Sequence, residues 1–258
     1  MILGYFSIGL TVLVILVLSI SRIKKPLPYY IGAYVVGSFL LLSTTLASSE
    51  LIGSDIHLEY YYANQAIMNG WDRTLPCTIN ACIPVTLVAP LLSGYDSDKL
   101  IWIFKIVFPL LYALVPVLLV YIYSRFMTVK WAFLSAMVFV IIPTFFLEMP
   151  SISRQMIAEL ILVAMIALLV SNKEHKWKML GLFVGSLGVI ISHYSTATFW
   201  FVFLFMTVIG YLVTNQKWRT LDVFVVLVIS VLFFIVYSKS ISSGWIMVDF
   251  GNAIDKLS

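Results

Sequence analysis

The chain has 258 residues, of which 62% are apolar and 11% are charged, with a net charge of +4. Its mean hydropathy is +1.04, whereas a soluble domain carries about a quarter charged residues, so the composition excludes an ordinary soluble globule. The small positive balance sits in short turns between apolar runs, so it calls for no nucleic-acid partner.

A run of about 18 or more apolar residues reads as a membrane-crossing helix. Eight such runs occur, at roughly 2–20, 28–48, 100–124, 131–147, 155–171, 178–192, 196–214 and 221–238, the fifth and sixth being short. They are continuous rather than alternating, which favours helices over a membrane barrel. The expected fold class is all-α: a polytopic integral membrane protein with about eight transmembrane helices.

The first run has no basic residue before it, and Arg22, Lys24 and Lys25 follow it. That reverses the charge order of a cleaved signal peptide. Residues 1–27 therefore read as an extra retained helix and its turn. Further basic residues fall in three short turns on the same side: Arg125 and Lys130, then Lys173, Lys176 and Lys178, then Lys217 and Arg219. Lys and Arg mark cytoplasmic turns. The opposite side collects Asp55, Glu59, Asp72, Asp96, Asp98, Glu148, Asp249 and Asp255, with Glu50 and Glu159 near its boundary. Alternation then makes both termini, the tail 239–258 and the long insert 49–99 extracytoplasmic.

Within that insert, Ser54 is a helix cap, Asp55 and Glu59 suit the positive end of a helix, and Asn69-Gly70 is a stop. Ile56, Tyr60, Ala63 and Ile67 form one apolar stripe. The spacing predicts an amphipathic juxtamembrane helix over 55–69, lying on the membrane surface. Asp55 and Glu59 share one face, and His57, Tyr61 and Asn64 form another polar line. Early acids and interfacial tyrosines also have a purely structural reading. Cys77 and Cys82 are close enough in sequence for a small-loop disulfide on an oxidising face, the alternative being two free thiols. Ile83 to Leu92 is too short to span and reads as a dipping segment. Pro109 and Pro116 are expected to kink the third run.

The next link on that side holds Glu148 and Ser151-Ile152-Ser153-Arg154-Gln155, with Glu159 one turn on. A guanidinium beside a helix start can seat a phosphate; an ion pair of Arg154 with Glu148 or Glu159 is the competing reading. Glu159 falls in an apolar layer and needs a partner or a proton. The following link is Ser192-His193-Tyr194-Ser195-Thr196, while His175 lies in a Lys-rich turn and reads as solvated. No phosphate-cradling glycine loop, dinucleotide fingerprint or nucleophile elbow occurs. What converges on one face is carboxylates for a base and cationic groups for anionic oxygens.

The string Gly53-Ser54-Asp55-Ile56-His57-Leu58-Glu59-Tyr60-Tyr61, with Ser153-Arg154-Gln155 and Ser192-His193-Tyr194-Ser195-Thr196 later, resembles the GT-C superfamily of membrane glycosyltransferases, and within it an archaeal multi-pass family. The likeness covers roughly 28–238, counting seven spans after the extra helix. It implies a donor of polyprenyl-phosphate-linked sugar, inverting transfer at the extracytoplasmic face, and a glycan, lipid or protein acceptor in contact with membrane lipid. By this resemblance Asp55 matches the catalytic base, with Glu59 as its rival. Arg154, His193, His57 and Tyr194 would hold the donor phosphate. Glu148 matches a further acid, binding either a divalent metal (Mg or Mn) or the acceptor. A transporter or flippase for a lipid-linked or anionic solute, or a non-catalytic membrane subunit, is the alternative.

Overall fold

The computed structural model describes residues 2–21, 23, 25–72, 74–75, 77–215 and 217–241. Arg22, Lys24 and the tail with Asp249 and Asp255 lie outside the described residues. All regular structure among those described is helical. In chain order the helices are α1 (Ile2–Ile20), α2 (Leu27–Thr45), α3 (Asp55–Asn69), α4 (Ala89–Ser93), α5 (Ser97–Trp102), α6 (Phe108–Tyr112), α7 (Leu114–Tyr123), α8 (Val129–Val140), α9 (Ser153–Val170), α10 (His175–Ser192), α11 (Tyr194–Val213) and α12 (Lys217–Ser240).

Among the described residues, five segments are long and apolar enough to cross a bilayer: Leu27–Thr45, Ser97–Tyr123, Ser153–Val170, Tyr194–Val213 and Arg219–Ser240. Val129–Val140 and Thr144–Ser151 add a sixth if they are one span, bent by 61° at its break. The chain is thus polytopic in character, with five to six candidate spans among the described residues. The sixth run forms α10, whose Lys176, Lys178, glycines and serines dilute its apolar character. α1 runs over 19 residues, Ile2–Ile20, and Gly9–Ile20 is an apolar helix within it.

Prolines decide where the helices break. A proline inside a helix removes one backbone hydrogen bond, but in a first turn it costs little. Pro109 stands in the first turn of α6, after a π turn at Ile103–Val107. Pro90 stands in the first turn of α4, after a π turn at Pro84–Val88. Pro116 lies in the first turn of α7, and Pro143 precedes the π turn Thr144–Glu148. Near Pro109 and Pro116 the helix is interrupted, by the π turn and at Ala113, while Ser97–Tyr123 still reads as one candidate span. The break at Pro143, inside the run 131–147, turns one expected span into a bent pair.

Two buried clusters form the interior. One gathers α2, α3, α6, α7 and α8 around Tyr29, Val36, Phe108, Tyr112, Phe133 and Phe145. The other gathers α10, α11 and α12 around Trp200, whose Nε1 donates to Ser186 Oγ at 2.7 Å. α9 packs against both α7 and α10 and joins the clusters. Lipid is as apolar as leucine, so close backbone approach at small residues does much of the joining. A Cβ at Gly185 of α10 would lie 2.4 Å from Met165 Sδ of α9, so a larger residue there would require the Met165 side chain to move.

Candidate functional site

The helix expected at 55–69 is α3, with the same bounds. Its approach is fixed by Gly53, which takes φ +119°, and a Cβ there would lie 2.2 Å from Ser151 Cβ. Glycine alone tolerates both the dihedral and the contact. The chain before α3 is thereby pressed onto the link 149–153, and α3 lays Asp55 and Glu59, one turn apart, against the start of α9.

There Arg154 forks between the two acids. Its Nη1 donates to Glu59 Oε1 at 2.8 Å and its Nη2 to Asp55 Oδ2 at 2.7 Å. Glu59 Oε2 also accepts from the Ser153 backbone N–H at 2.8 Å, and Oε1 from the Arg154 N–H at 3.5 Å. The first N–H groups of a helix have no partner within it, and its N-terminus carries partial positive charge. Glu59 therefore caps α9 from another helix. Arg154 pairs with Asp55 and Glu59 rather than with Glu148 or Glu159, the two acids local spacing had offered.

The two carboxylates differ sharply in environment. The Glu59 side chain is 0% exposed and that of Asp55 40% exposed. Burial pushes the Glu59 carboxyl up to about 7, against the pull of Arg154 and of the two backbone donors. Glu59 is thus an anchor with no free face, and Asp55 is the acid that an incoming molecule can reach. Arg154 Nε is buried and has no partner, which leaves one donor of the guanidinium unused.

His193 is buried at the start of α11, where its Nδ1 shares a hydrogen bond with Thr196 Oγ1 at 2.8 Å. Burial, then the positive charge of Arg154, lowers its pKa to about 4 against the pull of Asp55. His193 is therefore neutral at pH 7 and can offer a hydrogen bond but no charge. The Tyr194 ring tilts against it at 5.5 Å between centroids. His57 is exposed, and two residues along a helix from Asp55 turn it about 200° away from the Arg154 face. The structure does not bring it to the cluster. Glu148 is also exposed, and its backbone oxygen accepts from Ser151 Oγ at 2.6 Å.

The expected disulfide is absent: Cys77 and Cys82 are free thiols. Cys82 Sγ turns into its own 3₁₀ turn toward Thr78 O at 3.6 Å, while Cys77 lies beside Tyr62. Burial pushes the Cys82 thiol up to about 12.

Glu159 finds the partners its position demanded: Tyr112 Oη and Gln155 Nε2 each donate to it at 2.8 Å. It lines a cavity of about 350 Å³ with Gln155, His193, Ser195 and Thr196 against an apolar wall that includes Phe139 and Phe199. His193 thus touches both the field of Arg154 and this cavity.

Two groups escape a reading centred on the clusters above. Lys105 is buried in a π turn, and its Nζ donates to Ser48 O, to Ser49 O at 2.9 Å and to Glu50 O at 3.3 Å. It sits just beyond the negative end of α2; a lysine within an apolar run was the signal for it. Asp96-Ser97-Asp98 is an Asp-x-Asp pair in the insert. Asp96 accepts from the Asp98 N–H at 2.9 Å and pairs with Lys99 at 2.7 Å, so it caps α5. Among the described residues, no three His, Cys, Asp or Glu side chains gather in a way that could hold a metal. Comparison with family models, with curated proteins and with solved structures returns no match.

Proposed function

We propose that this chain is an inverting glycosyltransferase of the membrane surface, moving a sugar from a polyprenyl-phosphate-linked donor to a hydroxyl acceptor. The observation that carries this reading is the Asp55–Arg154–Glu59 cluster, in which one carboxylate is locked and the other stays open. Asp55 takes the proton of the acceptor hydroxyl as its oxygen attacks the sugar C1. The C1–O bond to phosphate breaks on the opposite side, and the electron pair leaves with the phosphate. A cationic guanidinium near that oxygen stabilises the charge it gains. Glu59 is a positioning residue, holding Arg154 by two kinds of contact. His193 contributes as a neutral hydrogen-bonding group. Glu148 is exposed, and among the described residues no group of three His, Cys, Asp or Glu gathers beside it.

The eight-span arrangement with the cluster on the extracytoplasmic face belongs to the same proposal, resting on the distribution of Lys and Arg among the turns. The experiment is transfer of radiolabelled sugar from lipid-phosphate donors in membranes carrying the Asp55→Asn variant. A general base contributes about 10²–10⁴-fold, so the rate should fall at least roughly 100-fold with the fold unchanged. Full retention of activity removes Asp55 as base.

A second reading, a transporter for an anionic or lipid-linked solute, is favoured by the cavity beside Glu159, Gln155 and His193. Polar groups in a cavity between apolar helices mark solute paths in membrane proteins. Movement of solute across proteoliposomes without chemical conversion would select it.

A further inference from the structure

A second cavity, of about 250 Å³, lies at the opposite end of the helices from Asp55. α9 connects the two places: it begins at Ser153, and Leu169 near its other end lines this cavity. At about 1.5 Å per residue, the rise from Ser153 to Leu169 is roughly 24 Å. The charged groups lining the cavity are all basic, Lys173, Lys178 and Arg219, with His175 and Tyr211 beside them. They come from the α9–α10 turn, from α10, from α11 and from α12.

Two acids stand nearby, each paired with a basic group. Asp222 Oδ2 meets His175 Nε2 at 2.6 Å, and Glu174 pairs with Lys176 at 2.9 Å. Lys178 is half-buried, and its Nζ donates to Leu169 O at 2.7 Å, which closes the end of α9. An ammonium has three donors, so two remain for the cavity. Charges of one sign around a low-dielectric concavity focus their field and concentrate counter-ions there. A water occupies about 30 Å³ of liquid, so the space admits a phosphate with a substituent attached. Leu169, Met179 and Val223 supply an apolar side for that substituent.

We propose that this cavity is a binding site for a phosphate-bearing anion, distinct from the Asp55 cluster. A phospholipid head group and a soluble phosphate share this chemistry, and basic pockets at the ends of membrane helices take anionic head groups.

The test uses the full chain in neutral detergent, with binding read by native mass spectrometry and by thermal shift. The probes are short-chain phosphatidylglycerol, short-chain phosphatidylcholine and inorganic phosphate. Phosphatidylglycerol should bind in preference to phosphatidylcholine. The Lys173→Ala/Arg219→Ala double variant should bind it roughly 30-fold more weakly, at about a fivefold loss per basic residue. Both residues are exposed, and the melting temperature of the ligand-free variant beside that of wild type separates a loss of fold from a loss of binding. Lys176→Ala, outside the cavity, should leave binding unchanged. Protection by phosphate alone, equal to that by phosphatidylglycerol, supports the site and assigns it to a soluble anion. Equal binding of both lipids with no effect of phosphate overturns the proposal. So does equal loss in Lys176→Ala and the double variant, or full binding in the double variant.

Discussion

Removing the guanidinium in Arg154→Ala tests the reading of the cluster most directly. The change strips Glu59 of its charged partner while leaving it 0% exposed, with only the Ser153 and Arg154 backbone donors. Asp55, 40% exposed at its side chain, turns to water and adds little. Breaking a buried pair by deleting one member costs about 3–5 kcal/mol, because the remaining charge is uncompensated. At about 2–4 °C per kcal/mol for a chain of this size, the melting temperature should fall by roughly 10 °C. The loss has a definite pH signature. Glu59 already holds its proton up to about 7 in the folded protein, against 4.5 ordinarily. A raised carboxyl stabilises the fold below its ordinary range and loses that contribution as pH rises through its folded value. Without Arg154 that value moves further up, so the variant should recover stability as pH is lowered from 8 to 5. Adding Glu59→Gln should restore much of the loss, since a neutral amide needs no counter-charge. Thermal unfolding in detergent across that pH range measures both effects. An unchanged melting temperature in Arg154→Ala, or a double variant that loses the full sum of the single losses, refutes the lock.

Gly53→Ala should destabilise by about 1–3 kcal/mol, from the backbone strain and the forced shift against Ser151, and should lower activity by displacing Asp55; wild-type stability would show that the approach is not tight. Maleimide labelling without reductant should modify Cys77 in the native protein and Cys82 only after unfolding, as the thiol exposures and the high Cys82 pKa require. Mass spectrometry that finds neither thiol until a reductant is added would reinstate the bridge.

Much of the architecture is legible because it is local. The cap at Ser54, the stripe from Ile56 to Ile67 and the stop at Gly70 give α3 its bounds, and continuous apolar runs give α2, α9, α11 and α12 within a few residues. The partners of Arg154 are another matter. Glu148 and Glu159 are its neighbours in sequence, but the first is carried outward and the second is already satisfied by Tyr112 and Gln155. The acids that win are brought by the fold, through a glycine whose dihedral no periodicity reveals. The cysteines fail similarly: their spacing permits a bridge, yet side-chain direction within a 3₁₀ turn decides against it. His57 shows the reverse case, since its separation from the Arg154 face follows from helix geometry alone. Pro143 was visible in the sequence and marks the break that the apolar count ignored.

The contacts between Glu59 and the start of α9 also set an order of assembly. They join residues 94 and 95 positions apart. Chains grow at about 5–20 residues per second, so the insert is made roughly 5–20 seconds before its partner exists. Through that interval α5 to α8 must take their places while Asp55 and Glu59 remain hydrated. The last turn of the insert's folding therefore waits on a helix made later, and a chain stalled before Ser153 would present α3 without the arginine that seats it.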